Sequence, residues 1–298
     1  MNRFLIGQYG MFDDKKYKRD FKRAFYGIEA CLFEREEDFN KLIRESEAHS
    51  FQIGIHFPLR AGRAPLRDAL FLSQDEAVRE AAFELVHQEL AYLAAAKPAY
   101  ILFHYPKPVL LDHRVDWSAW RFADPAEYVY DTDYTYAEFT EKSDRLFQWL
   151  SDRSQEYDFV PVLEFDALHE YVYRTNLLEE LLAKYPRIKL CLDTGRLFLQ
   201  DKCDPFFDAR HVIRKFARYA EVIHLWNLQF TDRIEHYHYP VLPEQSPEEG
   251  WAPIEAYLTI IREENNHVKI QFEHRSDLIR DDDLERCYAW VDQLLSRS

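Results

Sequence analysis

The feature that most constrains this chain is a rhythm. Short apolar runs rich in Ile, Val, Leu and Phe recur along it, each followed by a longer stretch with helical period. Eight runs are read, at 4–7, 27–33, 52–57, 99–105, 160–165, 189–193, 221–225 and 269–273. Amphipathic stretches fall between them at 36–48, 76–96, 136–151, 177–185, 209–219 and 253–264, and another at 284–295 follows the last run. Runs that are apolar throughout describe strands buried on both faces, which is the signature of a parallel sheet covered by helices. Eight such units in 298 residues match a (β/α)8 TIM barrel better than an open doubly wound sheet, which usually carries a glycine-rich first turn. The expected organisation is one α/β barrel domain over 1–298.

One stretch breaks the rhythm. Residues 106–135 show no helical or strand period, follow the fourth run directly and carry Trp117, Trp120, Phe122, Tyr128, Tyr130 and Tyr134. In a barrel the loop after a strand lies at the face where active sites are built. The insertion therefore reads as a lid or sugar-stacking wall, or else as an oligomer contact, so a homo-oligomer is compatible with it.

Glycine and cysteine usage removes several chemistries. The seven glycines are Gly7, Gly10, Gly27, Gly54, Gly62, Gly195 and Gly250, and no dinucleotide fingerprint, Walker A loop or G-x-S-x-G elbow can be written with them. His169-Glu170 is followed by Tyr171, Val172 and Tyr173, so there is no zincin H-E-x-x-H. Cys31, Cys191, Cys203 and Cys287 form no C-x-x-C pair, which fits reduced thiols rather than a zinc ribbon or a disulfide framework. A net charge of −15 repels a phosphate backbone, making nucleic acid an unlikely partner and a small molecule the better one. The first apolar stretch is only four residues long, and later ones are interrupted by Lys97 or Arg196 before membrane-spanning length. A soluble, cytoplasmic protein with no membrane partner is expected.

The chemistry is written at the ends of the runs. Six successive runs end in His56, His104, Glu164, Asp193, His224 and Glu273. Barrel strands bring their carboxyl ends together at one face, so these residues would converge although they are far apart in sequence. A polar residue after one apolar run often marks only the strand boundary. Six metal-binding types in a row, in a chain where Asp, Glu and His make up about a fifth of the residues, point to a site. Three carboxylates with imidazoles suit Mn2+, Mg2+, Co2+ or Zn2+ and exclude thiolate-rich centres. Such an ion acts as a Lewis acid on a substrate oxygen. Beyond the run ends lie Arg60, Arg63, Arg67, Lys107, Arg114, Arg121, Arg196, Arg233 and Arg275. A basic mouth on an acidic body points to a small anionic substrate, with Arg196 and Arg275 nearest the run ends and hence the first candidates to bind it.

These residues resemble the xylose isomerase-like TIM-barrel superfamily. The resemblance rests on Gly27-Ile28-Glu29, His56-Phe57-Pro58, His104-Tyr105-Pro106, Glu164, Leu192-Asp193-Thr194-Gly195, His224, Glu248-Glu249-Gly250-Trp251 and Glu273. It runs through nearly the whole chain, in short motifs that mark the superfamily rather than a substrate. The group holds sugar and sugar-phosphate isomerases and epimerases together with endonuclease IV-type enzymes. By matched position, the ketose 3-epimerase branch implies one divalent ion on Glu164, Asp193, His224 and Glu273. It also implies Glu164 and Glu273 as the acid–base pair of an enediolate mechanism, which needs a base on one face of the carbon and an acid on the other. His56, His104 and His238 would line the substrate pocket with Arg196 and Arg275. The sequence departs from the pattern at Asp193-Thr194-Gly195-Arg196, where the family usually has His in the fourth place. Arginine cannot ligate a metal but can grip a carboxylate or phosphate with a planar fork. This puts a three-zinc endonuclease site in doubt, although His236 and His238 lie where that enzyme places its remaining third-zinc ligands. They are equally compatible with lining the pocket, or with a second ion shared with His56 and His104. The expected function is a divalent-metal-dependent isomerase or epimerase of a sugar, sugar phosphate or sugar acid. The alternatives are a metal-dependent phosphoesterase of the endonuclease IV type and a non-catalytic barrel that binds a small anion.

Overall fold

The computed structural model describes residues 1–63 and 66–296. Eight strands form a closed barrel: β1 (Phe4–Tyr9), β2 (Gly27–Cys31), β3 (Gln52–His56), β4 (Tyr100–Tyr105), β5 (Val160–Phe165), β6 (Lys189–Asp193), β7 (Ala220–Leu225) and β8 (Lys269–Phe272). Each pairs in parallel with its sequence neighbours, and β1 closes on β8. This is the expected TIM barrel, with helices around the outside.

Strand alternation divides the core in two. Ile53, Ile55, Ile101, Phe103, Leu163, Leu190, Leu192, Ile223 and Ile270 point outward into one large cluster shared with the helices. Leu5, Tyr100, Leu102, Val162, Cys191 and Val222 point inward and pack as a separate plug inside the barrel. Side chains alternate with a period of two, so one step up from that plug the interior positions are His104 on β4, Glu164 on β5, Asp193 on β6 and His224 on β7. The plug is apolar and the next layer is charged. Gly54 makes room for the plug's largest member, since a Cβ there would lie 2.3 Å from the Tyr100 ring.

Helix boundaries follow the sequence reading with small shifts. The helix expected at 136–151 runs Tyr136–Tyr157, capped by the Thr135 hydroxyl. Three helices escaped the reading: Asp14–Asp20, Glu170–Tyr173 and Thr194–Cys203. The last begins directly after β6, because Asp193, the residue that ends the strand, accepts the Arg196 backbone N–H with its carboxylate and serves as the N-cap. No loop separates strand from helix, so no turn signal announces it.

The insertion at 106–135 is more ordered than expected. Val109–Leu111 and Tyr128–Tyr130 pair as a two-stranded parallel ribbon, too short to show a period. Trp117, Trp120 and Tyr134 are buried. Trp117 Nε1–H donates to the Asp112 carbonyl, Trp120 Nε1–H to the Asp166 carboxylate and the Tyr134 hydroxyl to the Leu72 carbonyl. The Trp120 and Tyr134 bonds tie the insertion to the loops after β5 and β3, and the Trp117 bond is internal to the insertion. Among the described residues no helix is long and apolar enough to cross a membrane, and all four cysteines are free thiols.

Candidate functional site

The register of the strands puts the run ends side by side: His104 opposite Glu164, Asp193 opposite His224, and Gln271 opposite His224 on the next strand. Glu164, Asp193, His224 and Glu273 each bring one potential ligand atom within 4.8 Å of the others. His56, His104 and Glu164 form a second such group, so Glu164 belongs to both. Glu164, Asp193 and His224 are fully buried, whereas the Glu273 side chain is 26% exposed and faces the opening.

Outer partners fix the imidazoles. His224 Nε2–H donates to Glu29, at 3.1 Å from Oε1 and 3.2 Å from Oε2, and Glu29 accepts in turn from the Tyr100 hydroxyl at 2.7 Å. His104 Nδ1–H donates to Asp68 at 2.8 Å and His56 Nδ1–H to the Phe57 carbonyl at 3.1 Å. With the outer nitrogens committed outward, the inner nitrogens face the carboxylates of the cluster. His224 Nδ1 lies 2.9 Å from Glu164 Oε1 and 3.4 Å from Glu273 Oε2, while His104 Nε2 and His56 Nε2 lie 2.9 and 3.2 Å from Glu164 Oε2. Both Glu164 oxygens, His224 Nδ1 and Glu273 Oε2 are buried without a hydrogen-bond partner. Buried carboxylates converging on one another are costly unless positive charge, a protonated imidazole or a metal cation, sits among them. The outward hydrogen bonds are those that orient metal-binding histidines. The residues present therefore fit a divalent ion on the set Glu164, Asp193, His224 and Glu273.

Charge balance agrees. Burial, with Glu273 and Glu164 nearby, pushes the Asp193 carboxyl up to about 8. Its oxygens accept from Trp226 Nε1–H at 3.0 Å and the Arg196 backbone N–H at 2.9 Å. A divalent cation among these carboxylates would favour their ionised forms. Protons and metal ions compete for such a site.

The basic mouth is largely neutralised by partners. Arg60 pairs with Glu89, Arg114 with Asp112, Arg233 with Glu235 and Arg275 with Asp277. Lys107, expected at the rim, is buried with its ammonium 2.8 Å from both Asp68 and Asp166. Arg196 does project over the cluster, but its guanidinium is engaged: 3.1 Å from Asp166, 3.5 Å from Asp193 and 3.3 Å from His104 Nε2. As an anion grip it is already in use. His238 lies beside the cluster on the antiparallel ribbon Asn227–Phe230/Ile234–Tyr239, stacked on Trp226 at 4.1 Å with its Nδ1–H on the Glu273 carbonyl at 2.6 Å. His236 points elsewhere and stacks on Trp251, so the two histidines do not act as a pair.

Several residues of the site carried no role in the sequence reading. Glu29 stood in a quoted motif, and its signal was available as a lone carboxylate inside an apolar run. Asp68 and Asp166 gave none, because they sit in loops among many other acidic residues. Lys107 was visible, but its burial was not.

No protein-family model matches the sequence, and no curated protein sequence does either. Solved structures do match in fold. A D-tagatose 3-epimerase-like protein aligns over 98% of this chain and 99% of its own, with a TM-score of 0.62 at 12% identity. The 3-keto-D-glucoside 4-epimerase YcjR of E. coli, in its apo form, aligns over 98% and 100%, with a TM-score of 0.61 at 9% identity. An IOLI protein with a bound zinc atom aligns over 98% of both chains, with a TM-score of 0.62 at 12% identity. At these identities the likeness is one of fold.

Proposed function

We propose that this chain is a divalent-metal-dependent isomerase or epimerase of a small sugar. The observation that carries the reading is the convergence of buried, unpartnered polar atoms of Glu164, His224 and Glu273, beside Asp193, at the carboxyl end of the barrel. The fold neighbours, a D-tagatose 3-epimerase-like protein, a 3-keto-D-glucoside 4-epimerase and an IOLI protein with a bound zinc atom, support it. Glu164, Asp193, His224 and Glu273 would hold the ion, which when bound would supply Lewis-acid polarisation of a substrate carbonyl or hydroxyl oxygen.

The chain's own residues do the rest. Glu273, the exposed member of the cluster, takes or returns a proton on the carbon beside the carbonyl. Glu164, at the buried end, does the same on the other face, so that the carbon passes through an enediolate and can invert. Asp193 is held by Trp226 and the Arg196 N–H and serves position rather than proton transfer. Glu29 holds the His224 ring.

The test is exchange. Incubated with Mn2+, Mg2+, Co2+ or Zn2+ and a panel of ketoses, ketose phosphates and keto acids in D2O, the protein incorporates deuterium at carbon, read by NMR. Glu164→Gln and Glu273→Gln each lower that rate by at least about two orders of magnitude. Wild-type exchange in either variant removes that glutamate from the acid–base role, and no exchange with any substrate overturns the reading. The His56–His104–Glu164 group favours one second reading, a two-ion phosphoesterase. Release of inorganic phosphate without carbon-bound deuterium selects that reading.

A further inference from the structure

A cavity of about 450 Å³ opens beside Glu273 and runs over the ends of β1, β2 and β8. Three cations line it, Lys16, Arg67 and Arg275, and Lys16 and Arg67 differ from Arg275 and from most of the other basic residues of this face. Among the described residues neither has a carboxylate within 4 Å, whereas Arg60, Lys107, Arg114, Arg196, Arg233 and Arg275 each have one. The polar contacts of Arg67 are His56 Nε2 at 3.3 Å and Cys31 Sγ at 3.8 Å, and its Nε is buried without a partner. Lys16 is half-buried in the helix Asp14–Asp20. Gln271 and His274 line the same cavity, each almost fully buried, with Gln271 Oε1 and His274 Nδ1 unpartnered. Gly7 is fitted to this arrangement, since a Cβ there would lie 2.6 Å from Gln271 Nε2.

In a protein of net charge −15, two cations of one cavity with no carboxylate within 4 Å, beside unpartnered polar groups, have desolvation costs that a bound anion offsets. The cavity shares Glu29, His56 and Glu273 with the metal-binding cluster, so one molecule can reach both. We infer that this cavity is an anion subsite in which Lys16 and Arg67 hold the terminal phosphate or carboxylate of the substrate while its keto end meets the Glu164–Glu273 cluster. The substrate class is thus a ketose phosphate or a keto sugar acid, and the grip expected of Arg196 and Arg275 falls to a different pair. This assignment rests on the proposed sugar chemistry for its account of the other end of the molecule.

Three probes share one carbon skeleton and differ only at the distal carbon: D-fructose, D-fructuronate and D-fructose 6-phosphate. Binding to the full-length protein loaded with Mn2+ is measured by calorimetry, separately from deuterium exchange. The expected result is at least about ten-fold tighter binding of one or both anions than of D-fructose, as a charge-assisted contact implies. The anion that gains more identifies the group as phosphate or carboxylate. Arg67→Met and Lys16→Met each remove most of that preference and change D-fructose affinity less than about two-fold, whereas Arg233→Gln, outside the cavity lining, leaves the preference intact. Equal binding of all three probes, binding of none, or an unchanged preference in both methionine variants overturns the subsite. Preferential anion binding without carbon-bound deuterium in any probe leaves the subsite standing and counts against the isomerase reading, while exchange with neutral D-fructose alone does the reverse.

Discussion

Two layers of buried charge lie at the mouth of the barrel, and they are built in opposite ways. In the outer one, Asp68, Lys107, Asp166 and Arg196 close on one another: Lys107 bridges both aspartates, Arg196 adds to Asp166, and the Trp120 N–H completes it. In the inner one, Glu164, His224 and Glu273 face each other through buried polar atoms without a hydrogen-bond partner. Both are clusters of charged side chains at the same end of the barrel, so buried charge alone does not distinguish scaffold from site. Satisfaction does: a network whose charges are all paired holds the structure together, and one with orphaned acceptors is waiting for a ligand.

The largest expected effect breaks the closed layer. Lys107→Met leaves Asp68 and Asp166 facing each other in a buried space, and removing one member of a buried ion pair costs about 3–5 kcal/mol. Both carboxyls are now held below their ordinary range against the cost of burial, Asp68 by His104 and then Lys107 and Arg67, Asp166 by Lys107 and then Arg196 and His104. Denaturant unfolding of the metal-free protein measures the loss. A loss under about 1 kcal/mol would mean that Arg196 and the Trp120 N–H suffice, and that the outer layer is less tightly closed than its distances suggest.

The next effect sharpens the open layer. Glu29→Gln keeps the shape but weakens the acceptor that holds His224 Nε2–H, and such outer partners are typically worth 10–100-fold in metal affinity. Competition with a chelator should show a loss in that range while overall stability without metal changes little. Unchanged affinity would make Glu29 a partner of Tyr100 alone.

How much of this was legible beforehand follows the same division. The barrel was legible because strands buried on both faces are apolar at every position, and β5 and β6 fall at the expected residues. The inner cluster was legible because each of its members ends an apolar run, where hydropathy changes abruptly. The outer layer was not. Lys107 and Arg196 read as rim cations, since nothing local reports that loops after β3 and β5 bring Asp68 and Asp166 to them. Lys16 gave no signal at all, being one of several lysines in a short helix whose cap, Asp13, was not recognised.

The smallest effect tests whether the inner layer is short of positive charge. Asp193 is raised to about 8 by burial and the neighbouring Glu273 and Glu164, against an ordinary value of 3.8. Between those limits the folded chain holds a proton that the unfolded chain has released, so its stability falls as pH rises, by up to about 1.4 kcal/mol per pH unit. Glu164 and Glu273 are shifted downward, so their contribution changes only below their ordinary 4.5. His224 is shifted upward, so its contribution changes only above its ordinary 6.5. The interval from about pH 5 to 6.5 therefore belongs to Asp193 among these four. Chelator-treated wild-type protein should lose thermal stability across it, Asp193→Asn should lose much less, and saturating Mn2+ should flatten the wild-type curve by replacing the proton with a cation. If the metal-free wild type and Asp193→Asn instead run parallel from pH 5 to 6.5, Asp193 is ionised in the folded protein without help, and the inner layer is as well compensated as the outer one.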